Sequence, residues 1–281
     1  MKPHLTLRAL PTIAALLVVL LSPPPCAAAT LSVRENVVIF EGPISSGDAE
    51  RLIELQRRYF ALEGFALSSI ELSSPGGSVS EAFKISALIE AFRLRSSVSH
   101  DKVCASSCFF LYIAGTSRLA RGTDIPSDSQ YSVPMPGLVG LHRPYLASAG
   151  ASAPDIATTG RAQRAVMNEV RTYLSERNIP QRLIDLMMTK SSREIYWLNY
   201  ADLHEVGNVS AAYEELIIAK CGGTPDGVKA MHNSIDRGES LVASKRSWRA
   251  TTDCESALIT RLKGTEIPRL LDSMQTGWRP W

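Results

Sequence analysis

The sequence predicts an α/β protein with a largely parallel sheet, followed by a small C-terminal extension. Three observations lead there. Val37-Val38-Ile39-Phe40 is a β-branched and aromatic run ended by Gly42-Pro43. A helical apolar period follows it, and then a second strand-like run from Ala66 to Leu72. That run breaks at Ser74-Pro75-Gly76-Gly77 and leads into another helical stretch and a strand around Val98. Strands alternating with helices make βαβ units, and these lay helices on the faces of a parallel sheet. The chain of 281 residues, 45% apolar and 21% charged, has the composition of an ordinary globular protein.

The first segment reads as an export signal spanning 1–29. Lys2 and Arg8 give it a positive start, and Ile13 to Leu21 is an unbroken apolar run of nine residues. Ser22-Pro23-Pro24-Pro25 stops any helix, and Ala27-Ala28-Ala29 offers a small-residue cleavage site. The run is much shorter than the roughly 20 residues that cross a bilayer, so a signal is expected and not an anchor. No second long apolar stretch follows, so no transmembrane segment is expected in the mature protein. The net charge is +2, from 30 basic and 28 acidic residues, and Lys2 and Arg8 account for the surplus. The remainder is neutral, which argues against a nucleic-acid partner and against an acidic solvating tail.

The remaining elements follow in order. Asp48 to Phe60 carries Leu52, Ile53, Leu55 and Tyr59 near a helical period. Ser78-Val79-Ser80-Glu81 has the form of a capping box and opens a helix to about Phe92. Val103 to Gly115 reads as a turn into a very apolar helix, and Gly122 to Pro136 as a polar loop. Leu138 to Leu141 is a strand, Ala153 to Asn178 a long helix, Gln181 to Met188 a second and Ala201 to Glu205 a short third. From about Ala219 glycines cluster and periodicity fades, so 219–281 is read as an appended region beyond a main domain at 30–218. Export favours disulfides. Cys221 with Cys254 is the preferred pair; Cys104 and Cys108 either pair or stay as buried thiols. Zinc is the weaker reading, because no His stands at ligand spacing beside either pair, and neither a metal nor another cofactor is expected.

Three segments have the residue types for chemistry. Gly76-Gly77 lets backbone amides face a ligand without side chains in the way, which suits a developing oxyanion or a peptide running alongside. Ser106 lies at the start of the apolar helix, in Cys104-Ala105-Ser106-Ser107-Cys108, where a hydroxyl can act as a nucleophile or only as a helix cap. His142, in Gly140-Leu141-His142-Arg143-Pro144, ends a buried strand and can act as a general base.

Together the segments resemble the Clp protease proteolytic subunit and its exported relatives. The resemblance covers about Val37 to Val209: strand, Ser-Pro-Gly-Gly, helix, then Ala-Ser with a glycine nine residues later, then His-x-Pro. It implies the crotonase-like ββα superhelix. Signal peptide peptidase A belongs to the same broad clan but uses lysine as base, and His142 fits the Clp type better. The resemblance implies Ser106 as nucleophile, His142 as base, and the amides of Gly77 and Ser107 as oxyanion donors, with Gly76 shaping the substrate-binding turn. Ser106 to His142 spans 36 residues, longer than the family usually shows, and the 122–136 loop can absorb the excess. The Cys-x-Ser-x-Cys bracket departs from the Clp subunit itself and looks like a periplasmic subgroup. The third triad member falls nearest Glu194, one residue farther from Gly207 than the family's aspartate, with Asp185 and Asp202 as competitors.

The expected function is therefore an exported, periplasmic serine peptidase acting on short or unfolded peptides. The resemblance also implies homo-oligomers. No phosphate-binding loop appears in the chain, so ATP-independent action is expected. A non-catalytic peptide-binding or scaffold protein on the same fold is the competing reading. An acyl-thioester enzyme of the crotonase type fits export poorly, because coenzyme A esters are cytoplasmic.

Overall fold

The computed structural model describes residues 28–120, 138–145, 156–191, 194–236 and 246–275. The export segment, apart from Ala28 and Ala29, and the 122–136 loop lie outside the described residues. Among the described residues there are two sheets. The larger has the order β1 (Thr30–Arg34), β2 (Val37–Glu41), β3 (Ser69–Ser73), β4 (Arg95–Val98) and β6 (Arg118–Ala120). β1 and β2 form an antiparallel hairpin, and every later pairing in this sheet is parallel. The smaller sheet has the order β5 (Val103–Ala105), β7 (Leu138–Leu141) and β8 (Tyr196–Trp197), with β5 parallel to β7 and β8 antiparallel to it. The alternation read from sequence thus gives a mixed α/β fold, with its parallel strands divided between two sheets.

The helices form where the apolar period lies. α1 (Asp48–Glu63) buries Leu52, and α2 (Val79–Ala91) buries Phe83, Ile85, Leu88 and Ile89 against the larger sheet. The capping box at α2 is only half formed. Ser78 accepts the Glu81 amide at 3.3 Å, but the Glu81 carboxylate turns to the start of α1 and accepts Gly47 N at 3.1 Å and Ala49 N at 2.9 Å. Gly47 has no side-chain cap of its own to offer, so a carboxylate from the next helix satisfies those donors.

α3 (Cys108–Ala114) is buried at every position and forms the centre of the core. Gly115 follows it, and a Cβ there would lie 2.2 Å from Ser96 Oγ on β4. The helix packs against β4, with Ser96 Oγ donating to Tyr112 O at 2.6 Å. α4 (Ile156–Glu176) and α5 (Gln181–Thr189) cover the same core through Val170, Leu174, Leu183 and Met187. α6 (Tyr200–Val206) starts with a capping box between Asn199 and Asp202.

The C-terminal part is helical. α7 (Ala211–Cys221) runs through position 219, and α8 (Pro225–Asp236), α9 (Arg246–Arg261), a π turn (Leu262–Glu266) and α10 (Ile267–Gln275) follow. A second apolar cluster of Val209, Tyr213, Ile217, Val228, Leu258 and Leu262 holds these helices together. Ile267 and Leu271 of α10 reach the main core, where α10 packs on α1. No helix among the described residues is long and apolar enough to cross a membrane.

Candidate active site

β3 runs past the edge of its own sheet and bridges to the smaller one. Ser74 N donates to Val103 O at 2.6 Å, and Ala105 N donates to Ser74 O at 2.9 Å. This brings Pro75-Gly76-Gly77 against the end of β5. The turn is fixed from both sides. Ser74 Oγ accepts the Gly76 amide at 3.1 Å, Ile44 N donates to Gly76 O at 2.9 Å, and Ser78 N donates to Ile44 O at 3.0 Å. Both glycines are required. Gly76 has φ +97°, and a Cβ on it would meet Ser106 Cβ at 2.6 Å and Ala105 O at 2.7 Å. Gly77 has φ +150°, and its Cβ would lie 2.2 Å from Ile44 O.

Ser106 follows β5 directly and has φ +58°, a left-handed conformation that costs a non-glycine residue about 1–2 kcal/mol. The strand stops there and α3 begins two residues later, with Ser106 O accepting Phe109 N at 3.0 Å. A residue held in this way between a strand and a helix is a local strain of the kind that marks functional positions. The disulfide Cys104–Cys108 closes the turn around Ser106. Ser107 Oγ donates to Gly77 O at 3.1 Å instead of capping α3. No acceptor among the described residues takes the amides of Gly77 and Ser107. Two main-chain donors therefore remain available beside the Ser106 side chain.

His142 arrives from the neighbouring strand. β7 pairs in parallel with β5, with Ala105 opposite Gly140, and Ser106 N donates to Gly140 O at 3.0 Å. His142 is two residues beyond that carbonyl and half-buried. Its Nδ1 lies 2.9 Å from Arg143 O. A carbonyl can only accept, so this bond places the ring hydrogen on Nδ1 and leaves Nε2 with the lone pair a general base needs. Among the described residues His142 makes no hydrogen bond to Ser106 or Glu194. Gly140 itself lies under Ile195 and Trp197, and a Cβ there would meet them at 2.5 and 2.7 Å.

Glu194 is exposed, two residues before β8, and its amide donates to Ser191 O at 3.3 Å. The competing carboxylates are engaged elsewhere. Asp185 accepts from Arg171 at 3.1 Å and Gln181 at 2.9 Å. Asp202 accepts from Arg182 at 2.5 Å and from the Tyr196 hydroxyl at 2.9 Å. Burial works against ionisation of Asp202, but these donors outweigh it and hold the carboxyl below its usual range.

The structure thus brings together Gly76, Gly77, Ser106 and Ser107, with His142 on the adjacent strand end, and leaves Glu194 at the surface. Sequence reasoning named Ser74 only as part of the Ser-Pro-Gly-Gly break and missed Ile44; both hold the glycine turn, and the Gly42-Pro43 break before Ile44 was the available signal. Cys104–Cys108 and Cys221–Cys254 are both bonded. The chain matches no protein-family model and no curated protein. A solved structure of a ClpP1 mutant from Listeria monocytogenes is similar at 14% identity with a TM-score of 0.42, covering 62% of this chain and 88% of that one. A likeness this distant carries no argument about the chemistry of this chain.

Proposed function

We propose that the chain is an exported, ATP-independent serine peptidase acting on short or unfolded peptides. The observation that carries this reading is the left-handed Ser106 turn, packed on Gly76 and flanked by two amides without acceptors. Ser106 Oγ attacks the peptide carbonyl, and its proton passes to Nε2 of His142. The developing oxyanion takes hydrogen bonds from Gly77 N and Ser107 N. The imidazolium then gives its proton to the leaving amine, and water releases the acyl group by the same route in reverse.

Glu194 is assigned as the triad carboxylate by its chain position. The Arg143 carbonyl already orients the ring, so the Ser–His pair is expected to retain most of its function when Glu194 is changed. The two disulfides fit an oxidising compartment such as the periplasm. The ββα superhelix, the main domain at 30–218, the extension at 219–281 and a homo-oligomer that encloses the site belong to the same proposal.

The experiment is labelling of the mature protein with a fluorophosphonate, with the adduct mapped by mass spectrometry. An adduct on Ser106 that disappears in Ser106→Ala and His142→Ala but persists in Glu194→Gln is expected. The non-catalytic peptide-binding reading draws on one observation, the absence of a Ser106–His142 hydrogen bond. It predicts peptide binding without any adduct.

A further inference from the structure

Three adjacent alanines, Ala27, Ala28 and Ala29, close the export segment. Removal of such a segment needs a small residue just before the cut and another two places earlier. A cut after Ala29 meets this with Ala27 and Ala29, and a cut after Ala28 meets it with Cys26 and Ala28. A cut after Ala27 puts Pro25 at the earlier place and fails. Local sequence therefore allows two bonds, and the 1–29 boundary takes the later one.

The fold separates the two. Ala28 is exposed, whereas Ala29 is 0% exposed and belongs to the main apolar core. Thr30 pairs with Glu41 in the β1–β2 hairpin, so Ala29 continues that register to stand opposite Gly42. The approach there is close. Gly42 has φ +106°, and a Cβ on it would lie 3.3 Å from Ala29 Cα and 4.0 Å from Ala29 Cβ. Gly42 N in turn donates to Ser73 O at 2.9 Å, at the end of β3. Ala29 thus fills the core where the hairpin meets β3. A cut after Ala29 deletes that buried residue and leaves a gap against Gly42.

We propose that the signal-removing peptidase of the export machinery hydrolyses the Ala28–Ala29 bond, so that the mature chain begins at Ala29. Water adds across the amide: the Ala28 carbonyl leaves as a carboxylate, and the Ala29 nitrogen becomes an α-ammonium. That nitrogen is bonded to exposed Ala28, so water takes the place of Ala28 and solvates the new charge. The cut also removes Cys26, and the four cysteines that remain are all paired, as Cys104–Cys108 and Cys221–Cys254. The proposal rests on the export reading and is independent of the chemistry at Ser106.

The test expresses the full 281-residue chain in a Gram-negative host and recovers the protein from the periplasm. Intact mass and N-terminal sequencing locate the cut. A chain starting Ala29-Thr30-Leu31-Ser32 is expected. A start at Thr30, at Ala28 or at a lipid-bearing Cys26 overturns the site while leaving export in place. An uncut chain held in the cytoplasm overturns the export reading, and the cut with it. A second measurement addresses the packing. Chains beginning at Ala29 and at Thr30 are each released from a removable fusion, oxidised and melted. The Thr30 chain is expected to melt about 2–4 °C lower. Equal melting temperatures overturn the packing argument and the choice of bond that follows from it.

Discussion

At the C-terminal end of β3 the chain packs main chain on main chain, whereas at the start of β4 it packs charge beside charge. The first region uses Gly76, Gly77 and a left-handed Ser106, and its polar groups are amides and carbonyls. The second uses Arg93, Arg95, Lys263, Glu255 and the buried Arg118, and its polar groups are long side chains. Amides cannot lose their donors by titration and need only small residues around them. Side chains must be desolvated and paired one by one. The first arrangement is therefore sensitive to a methyl group, and the second to the loss of a charge.

The largest expected effect tests the first half of that contrast. Gly76→Ala puts a Cβ against Ser106 and Ala105 at a backbone conformation alanine rarely adopts. If the oxyanion reading holds, the rate of fluorophosphonate labelling falls ~10²–10³-fold, as for loss of one donor. Labelling at the unaltered rate would show that the turn does not position the nucleophile.

The second prediction concerns the charged end. Arg118 is 2% exposed, and its guanidinium donates to Val206 O at 3.0 Å and Ile113 O at 2.5 Å. These are carbonyls at the C-terminal ends of α6 and α3, where a cation also meets the negative end of the helix dipole. Burial pulls the arginine down to about 10, and no carboxylate among the described residues pairs with it directly. Arg118→Met is expected to cost about 3 kcal/mol in denaturant unfolding, because it strands buried acceptors. A cost below about 1 kcal/mol means that the carbonyls find other partners.

The disulfides sharpen the comparison. Cys104–Cys108 closes a separation of 4 residues and Cys221–Cys254 one of 33. On loop entropy, replacing the second pair by serine costs about 3.5 kcal/mol and the first about 2 kcal/mol. Activity is expected to show the reverse order, because only the first bridge braces the Ser106 turn. Parallel melting and labelling of the two double variants separate these effects, and the same order in both measurements would contradict the contrast.

The smallest effect has the opposite sign. Ser106→Gly removes the side chain and releases the left-handed strain, so stability is expected to rise by about 0.5–1 kcal/mol while labelling is lost. A destabilised variant would mean that the Ser106 side chain contributes packing that outweighs its backbone strain.

Much of this protein is written locally. The apolar period fixes α1 and α2, the β-branched run fixes β2, and Ser74-Pro75-Gly76-Gly77 fixes a glycine turn after a strand. These features depend on neighbours within a few residues, so the residues themselves determine them. The strands β5, β6 and β8 were not legible, and Val103–Ala105 read as part of a turn, because two or three residues carry too little pattern to stand out. The Glu81 carboxylate looked like the partner of Ser78, but α1 offered uncapped amides at a distance of 34 residues in the chain. Arg118 and the group of Arg93, Glu255 and Lys263 were likewise invisible, since their neighbours come from α3 and α6 in one case and from the C-terminal helices in the other. Local conformational preference sets where a chain turns. Which amides, carbonyls and charges then face one another depends on closing long loops, and only the folded structure decides that.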